Sequence, residues 1–142
     1  MKPLFHNFLL LLLTVSIPAS RAFADVVVIV SARSAITNLT KEEAANIFLG
    51  KVSTFPNGSR AVPIDQTEGT SVRDEFYLKI ANKSSTQVTA YWAKTIFTGE
   101  GFPPKQLRDN ATVKRAVANN PYAIGYINKN VVDNSIRVIL EP

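Results

Sequence analysis

The polar turn Thr67–Ser71 is the stretch of this 142-residue sequence whose residue types are best suited to chemistry. It follows a short apolar segment that predicts a strand and precedes apolar residues at helical spacing. The first N–H groups of a helix lack partners within the helix, and the helix dipole favours negative charge there. The hydroxyls of Thr67, Thr70 and Ser71 add donors. Gly69 lets a ligand approach the backbone, so the turn predicts an anion-binding site.

Helix capping is the alternative interpretation of this turn. A serine or threonine just before a helix is typical of an N-cap, because its hydroxyl accepts a hydrogen bond from the first turn. Thr70 and Ser71 suit that role as well as they suit ligand binding. N-caps are common and ligand sites are few per protein, so the turn taken alone favours capping.

The segments around the turn alternate between predicted strands and predicted helices. Val26–Val30 is a continuous β-branched run, which predicts a strand covered on both faces, as in a parallel sheet. Two capping boxes, Thr40 with Glu43 and Ser84 with Gln87, each predict the start of a helix. The other predicted elements are helices over 71–80 and over 111–119 after an Asn110 cap, strands over 61–65, 123–127 and 135–140, and a connecting loop over 98–104. This order predicts one α/β domain over residues 25–142, with a small mixed sheet flanked by helices.

A second group of polar residues follows the first predicted strand. In open α/β sheets, ligands bind beyond the carboxyl ends of the strands. Ser31 and Arg33 lie at that end of the first strand and are therefore predicted to contribute to the anion site. The alternative is that both residues belong to an ordinary solvated loop.

Residues 1–24 have the pattern of a cleavable secretory signal. Lys2 supplies the positive end, Phe8–Val15 the apolar run, and Ala22–Ala24 the small-residue cleavage site. An uncleaved membrane anchor is the alternative, but the apolar run is short for a membrane span. The sequence has no cysteine for lipid attachment, so it predicts a periplasmic protein that begins at Asp25 and is not a lipoprotein.

Composition excludes several classes of function. The sequence has no cysteine, and its one histidine, His6, lies in the predicted signal. Thiol catalysis, histidine catalysis and cysteine or histidine metal sites are therefore not expected in residues 25–142. No nucleophile and base pair favours a hydrolase, so the protein is predicted to be neither an enzyme nor a cofactor-binding protein. Removal of residues 1–24 leaves 14 basic and 11 acidic residues, a net charge of +3 that is too scattered for nucleic-acid binding.

Three motifs carry a resemblance to a known family: Ile47–Val52, the turn Glu68–Ser71 before Phe76, and Pro121–Tyr126. In their order and spacing, the sequence resembles the PstS-like phosphate-binding proteins of phosphate ABC transporters, a group of the type II periplasmic binding proteins. The resemblance covers nearly all of residues 25–142. It implies an α/β fold of the type II periplasmic-binding-protein kind, phosphate or a related oxyanion as ligand, and an ABC transporter membrane component as partner.

The sequence departs from the family pattern at the turn itself. The family's phosphate-binding glycine and threonine fall on Gly69 and Thr70, but its serine falls on Glu68 and its arginine on Ile64. A carboxylate beside a bound dianion repels it. Glu68 is therefore expected to point away from the ligand, to pair with a nearby arginine such as Arg73 or Arg60, or to mark a site of weaker affinity.

Three charged residues complete the predicted site. The resemblance implies that Asp65 accepts the proton of monohydrogen phosphate, as a carboxylate does in the family. Arg73 and Arg33 are the candidate counter-charges for the anion.

The resemblance also bears on how much of the family fold is present. Family members fold as two lobes that close over the ligand, and residues 25–142 correspond to the second lobe alone. Dimerisation or a partner protein could restore the missing wall. The leading hypothesis is a periplasmic phosphate-binding module that serves phosphate uptake or sensing. The alternative is an interaction module that has lost tight anion binding and docks to a membrane sensor, a porin or a surface assembly.

Overall fold

Five strands form a single mixed sheet in the computed structural model, which describes residues 25–142. The signal peptide predicted over residues 1–24 lies outside the described residues. The strands are β1 (Val26–Ser31), β2 (Val62–Gln66), β3 (Lys105–Leu107), β4 (Ala123–Asn128) and β5 (Ile136–Leu140). Their order across the sheet is β3-β2-β4-β1-β5. The predicted α/β fold with a small mixed sheet is confirmed.

The first strand, β1, is buried along its whole length, as its β-branched run predicted. Its direction differs from the prediction, because β1 pairs antiparallel with both β4 and β5. Only the β2 pairings, with β3 and with β4, are parallel among the strands described. A continuous apolar run indicates that both faces are covered and carries no information about strand direction.

Helices cover both faces of the sheet. They are α1 (Lys41–Phe48), α2 (Ser71–Ala81), α3 (Ser85–Phe97) and α4 (Asn110–Ala118), with a short 3-10 helix at Lys129–Val131. The first three pack on one face, where Phe48, Phe76 and Trp92 join Val28 in one hydrophobic cluster. On the other face, α4 packs against the odd-numbered residues of β1 in a second cluster. No helix among residues 25–142 is long and apolar enough to cross a membrane.

Side-chain caps define three of the helix starts. The capping boxes predicted at Thr40 and Ser84 are both present, so these helix starts are confirmed. The cap of α4 is Asp109, whose Oδ1 accepts from the N–H of Thr112 at 2.7 Å, and not Asn110 as predicted. The Asn110 Oδ1 atom instead accepts hydrogen bonds from Gln66 Nε2 and from the N–H of Asn128.

The strand β3 was not predicted from the sequence. Its three residues are polar or partly exposed, so they show neither the length nor the alternation by which strands are detected. It pairs in parallel with β2, with Gln66 opposite Leu107. This pairing brings the end of β3 beside the turn that follows β2.

Substitution of Gly125 in β4 with alanine is expected to destabilise the protein by about 1–3 kcal/mol, because the site has no room for a methyl group. A Cβ atom there would lie 2.9 Å from Val113 Cγ1 and 3.0 Å from Val117 Cγ2 on α4. Urea unfolding would measure the change. Gly101→Ala is the matched control, since its Cβ would lie 3.8 Å from Thr95 Cγ2 and should be tolerated. Equal stability of the two variants would contradict the close packing of α4 on β4.

Candidate anion-binding site

The predicted turn lies between the carboxyl end of β2 and the start of α2, and internal hydrogen bonds fix its shape. The N–H and the hydroxyl of Thr67 both donate to the carbonyl of Leu107, at 3.0 and 3.3 Å. The Thr70 hydroxyl donates to the carbonyl of Thr67 at 2.9 Å. Gly69 has a φ of +90°, a left-handed conformation that favours glycine. The turn is thus tied to β3 on one side and closed upon itself.

The start of α2 lacks the side-chain cap found on the other three α-helices described. Thr70 occupies the N-cap position but makes no capping hydrogen bond, because its hydroxyl is directed to Thr67. At this turn, the backbone N–H groups of Gly69, Ser71, Val72 and Arg73 find no acceptor within residues 25–142. The side chain of Ser71 also makes no hydrogen bond within that range. The alternative of plain capping by Thr70 is therefore not what the structure shows.

Glu68, which replaces the family's serine, points toward α3. Its Oε1 atom accepts a hydrogen bond of 2.6 Å from the hydroxyl of Thr89. Its own N–H donates to Gln106 Oε1 at 3.3 Å. Of the arrangements expected for Glu68, the structure has the one in which the carboxylate turns aside, and it pairs with neither Arg73 nor Arg60 among the described residues.

Asp65 lies one residue before the end of β2 and is 1% exposed. Its Oδ2 atom accepts from the Tyr77 hydroxyl at 2.7 Å and from Arg73 Nε at 3.4 Å. Its Oδ1 atom accepts from the Tyr126 hydroxyl and from the N–H of Gln66. These four donors occupy both oxygens and give Asp65 a structural role, while its role as a proton acceptor for the ligand stays a prediction.

Arg73 is likewise turned into the protein. It is 3% exposed, and its ion pair with Asp65 balances the two charges inside the fold. The guanidinium carbon lies 5.1 Å from the centre of the Tyr77 ring. Arg73 therefore offers its backbone N–H at the turn, while its guanidinium, predicted as a counter-charge for the anion, is paired with Asp65.

Ser31 and Arg33 lie away from the turn. The hydroxyl of Ser31 and Nη2 of Arg33 both donate to the carbonyl of Ala118, at 3.1 and 3.4 Å. β1 runs antiparallel to β4, and β2 runs parallel to it. The carboxyl end of β1 therefore lies beside the start of β4, while the carboxyl end of β2 points toward the end of β4. The expectation that Ser31 and Arg33 join the anion site is corrected, and its cause is the direction of β1.

Arg108 is a cation near the turn that the sequence reasoning missed. It directly follows Leu107, the residue whose carbonyl binds Thr67. Its side chain is 83% exposed, and it contacts the half-exposed carboxylate of Asp109 at 3.4 Å. An arginine just after a strand that pairs with β2 would have been a signal, but β3 itself escaped detection.

Burial and the carboxylate of Asp65 raise the pKa of the Tyr77 and Tyr126 hydroxyls far above their ordinary value. Both groups therefore stay protonated and donate to Asp65. A residue whose pKa is raised on folding stabilises the protein fully below its unfolded pKa, which for tyrosine is about 10.

We therefore expect the free energy of unfolding to fall as the pH rises above about 10, where tyrosines of the unfolded chain ionise and these two do not. Urea unfolding between about pH 8 and about pH 11, with tyrosinate absorbance recorded in parallel, would measure this. Ionisation of all the tyrosines before any loss of folded structure would contradict the buried network.

The acidic side chains that the structure describes are not clustered around a possible metal position. Among residues 25–142, no group of three or more His, Cys, Asp or Glu side chains is arranged to bind a metal ion.

Solved structures of phosphate-binding proteins are similar to this fold. An ABC-type phosphate transport receptor from Vibrio cholerae is 18% identical, with a TM-score of 0.64, over 81% of this chain and 45% of the receptor. PstS from Borrelia burgdorferi is 19% identical, with a TM-score of 0.58, over 81% of this chain and 46% of PstS. A Clostridium perfringens protein, assigned as a phosphate ABC transporter substrate-binding protein and solved with bound phosphate, is 20% identical, with a TM-score of 0.62, over 81% of this chain and 44% of its own.

The likeness lies in the fold. No protein-family model and no curated protein matches the sequence. The chain spans less than half the length of the three solved structures. The names of the first two describe them as a phosphate transport receptor and as PstS, and the third is a substrate-binding protein. Residues 25–142 thus have the fold of one lobe of a PstS-like phosphate-binding protein, as the sequence motifs predicted.

Proposed function

We propose that this protein is a phosphate-binding-protein-like module that binds phosphate or a related oxyanion at the β2–α2 turn. The observation that carries the proposal is the set of four backbone N–H groups, at Gly69 and Ser71 to Arg73, that have no acceptor within residues 25–142. Unpaired N–H groups at a helix start bind anions well, because they donate directly and the helix dipole adds to them. The fold shared with a protein solved with bound phosphate supports the choice of ligand.

The side chains at the turn have distinct proposed roles. Ser71 offers a hydroxyl that has no partner within the described part of the chain. The hydroxyls of Thr67 and Thr70 hold the turn and can exchange their internal hydrogen bonds for the anion. Arg108 supplies positive charge from the end of β3.

The setting of this function is also proposed. Export through the signal predicted over residues 1–24 would place the protein in the periplasm. There it would deliver phosphate to an ABC transporter membrane component or report phosphate to a sensor. A second copy of the chain or another protein would cover the open side of the turn.

Isothermal titration with phosphate, and with sulfate as control, tests the proposal. We expect saturable one-site binding that weakens as salt is added, because the contacts are electrostatic. In amide NMR spectra, the largest shifts should fall on Gly69, Ser71, Val72 and Arg73, and not on the capped start of α4 at Asn110. Absence of binding at millimolar phosphate, or shifts spread over the whole surface, would contradict the proposal.

Exposed aromatic side chains favour a second function. Phe97, at the end of α3, is 91% exposed, and Phe102, in the following loop, is 83% exposed; Tyr122 is 52% exposed. A contiguous patch of exposed apolar side chains is typical of surfaces that bind other proteins, and Phe97 and Phe102 lie close together along the chain. The alternative is therefore an interaction module that kept the fold without tight anion binding. Monomeric behaviour together with saturable phosphate binding would argue against it.

A further inference from the structure

A groove of about 400 Å³ lies beside the candidate anion site, between the β2–α2 turn and α3. Its lining combines one carboxylate with small side chains, namely Glu68, Ser85, Thr86, Thr89, Ala90 and Ala93. Glu68 belongs to both features, because it lines the groove and directly precedes Gly69 in the turn. The groove and the turn therefore adjoin each other at Glu68.

The carboxylate of Glu68 is held in this groove by contacts on its backbone and its side chain. The Thr89 hydroxyl donates to Oε1 at 2.6 Å, and the N–H of Glu68 donates to Gln106 Oε1 at 3.3 Å. The Oε2 atom accepts no hydrogen bond from residues 25–142 and is open to a further donor. A negative charge with one free oxygen thus faces the groove next to the anion site.

This charge is unfavourable for a bare phosphate dianion and favourable for a ligand that carries its own cation. Like charges repel at short range, and the repulsion grows as a ligand displaces water from between them. An ammonium group placed between the phosphoryl group and Glu68 would reverse the sign of the interaction. The small side chains of Ala90 and Ala93 leave room for a short alkyl chain that joins the two groups.

We propose that the site takes zwitterionic aminoalkyl phosphate monoesters, with the phosphoryl group at the turn and the ammonium group at Glu68. This inference rests on the anion binding proposed above. In this arrangement the four unpaired N–H groups donate to the phosphoryl oxygens, and Glu68 Oε2 accepts from the ammonium group. Arg108, at the end of β3, adds positive charge to the surroundings. The hydroxyl of Thr86, which also lines the groove, is a further acceptor for the ammonium group.

Titration of the purified protein with O-phosphoethanolamine, ethyl phosphate and inorganic phosphate tests this inference. The first two probes differ mainly in the ammonium group. We expect O-phosphoethanolamine to bind about threefold to fivefold more tightly than ethyl phosphate, the range of an exposed ion pair. In Glu68→Gln this preference should disappear, while ethyl phosphate should bind at least as tightly as before. Glu42→Gln is the control, because it changes the net charge by the same amount through an exposed carboxylate on α1. It should keep the preference.

The outcomes separate this inference from the proposed function. Equal affinity for the two esters, or a preference that persists in Glu68→Gln, would overturn the role of Glu68 and leave anion binding intact. Failure of all three probes to bind would overturn both proposals. Circular dichroism and the melting temperature of each variant should match the unsubstituted protein, because Glu68 is exposed.

Discussion

Substitution of Asp65 with alanine is expected to destabilise the protein by about 3–5 kcal/mol, a large part of the stability of a domain of this size. The variant leaves the buried cation of Arg73 without its carboxylate. It also deprives the hydroxyls of Tyr77 and Tyr126 of the oxygen to which they donate. Removal of one partner from a buried ion pair is costly because the other charge stays buried and unpaired.

Urea unfolding measures this effect, and two variants identify its origin. Glu141→Ala breaks an exposed pair with Lys129 at 3.2 Å and should cost at most about 1 kcal/mol. The double variant Asp65→Ala with Arg73→Met removes both charges and should regain part of the loss. If Asp65→Ala alone were as stable as the unsubstituted protein, Asp65 would not balance the charge of Arg73 inside the fold.

Substitution of Ser71 with proline is expected to weaken phosphate binding about tenfold more than substitution with alanine does, the cost of one hydrogen bond to a charged group. Ser71 is the first residue of α2, a position where proline removes an N–H group without disturbing the helix. The preceding residue, Thr70, has φ −81° and ψ 143°, which a following proline allows. The variant therefore deletes two proposed donors to the anion, the N–H group and the hydroxyl of Ser71, and keeps the fold.

Ser71→Ala is the matched control, because it removes the same hydroxyl and keeps the N–H group. Titration calorimetry on both variants separates the two donors, and circular dichroism checks that the helix content is unchanged. If Ser71→Pro bound phosphate as well as Ser71→Ala does, the backbone of the turn would not be the anion site.

Structural features that depend on residues close together in the sequence could be predicted. The helices were visible from apolar residues at helical spacing and from the capping boxes at Thr40 and Ser84, which depend on residues three positions apart. The turn after β2 was visible because its hydroxyls and glycine are contiguous. The motifs that carry the family resemblance also follow the order of the chain, so the fold of a single lobe could be predicted from them.

Features that depend on pairing between distant segments could not be predicted in the same way. The direction of β1 is set by its partners β4 and β5, which lie about a hundred residues further along the chain. That direction moved Ser31 and Arg33 away from the turn. Asp65 was assigned to the ligand because nothing local shows that Tyr126, 61 residues away, donates to it. Arg108 was missed because it follows a strand of only three residues.

The buried carboxylate of Asp65 also bears on the thermodynamics of ligand capture. It fixes the last residues of β2 from four directions, immediately before the chain enters the turn. The turn is therefore preorganised, and its N–H groups keep their orientation before any ligand arrives. Little conformational entropy remains to be lost on association, so the affinity of this lobe should depend on its contacts and charges rather than on the ordering of its backbone.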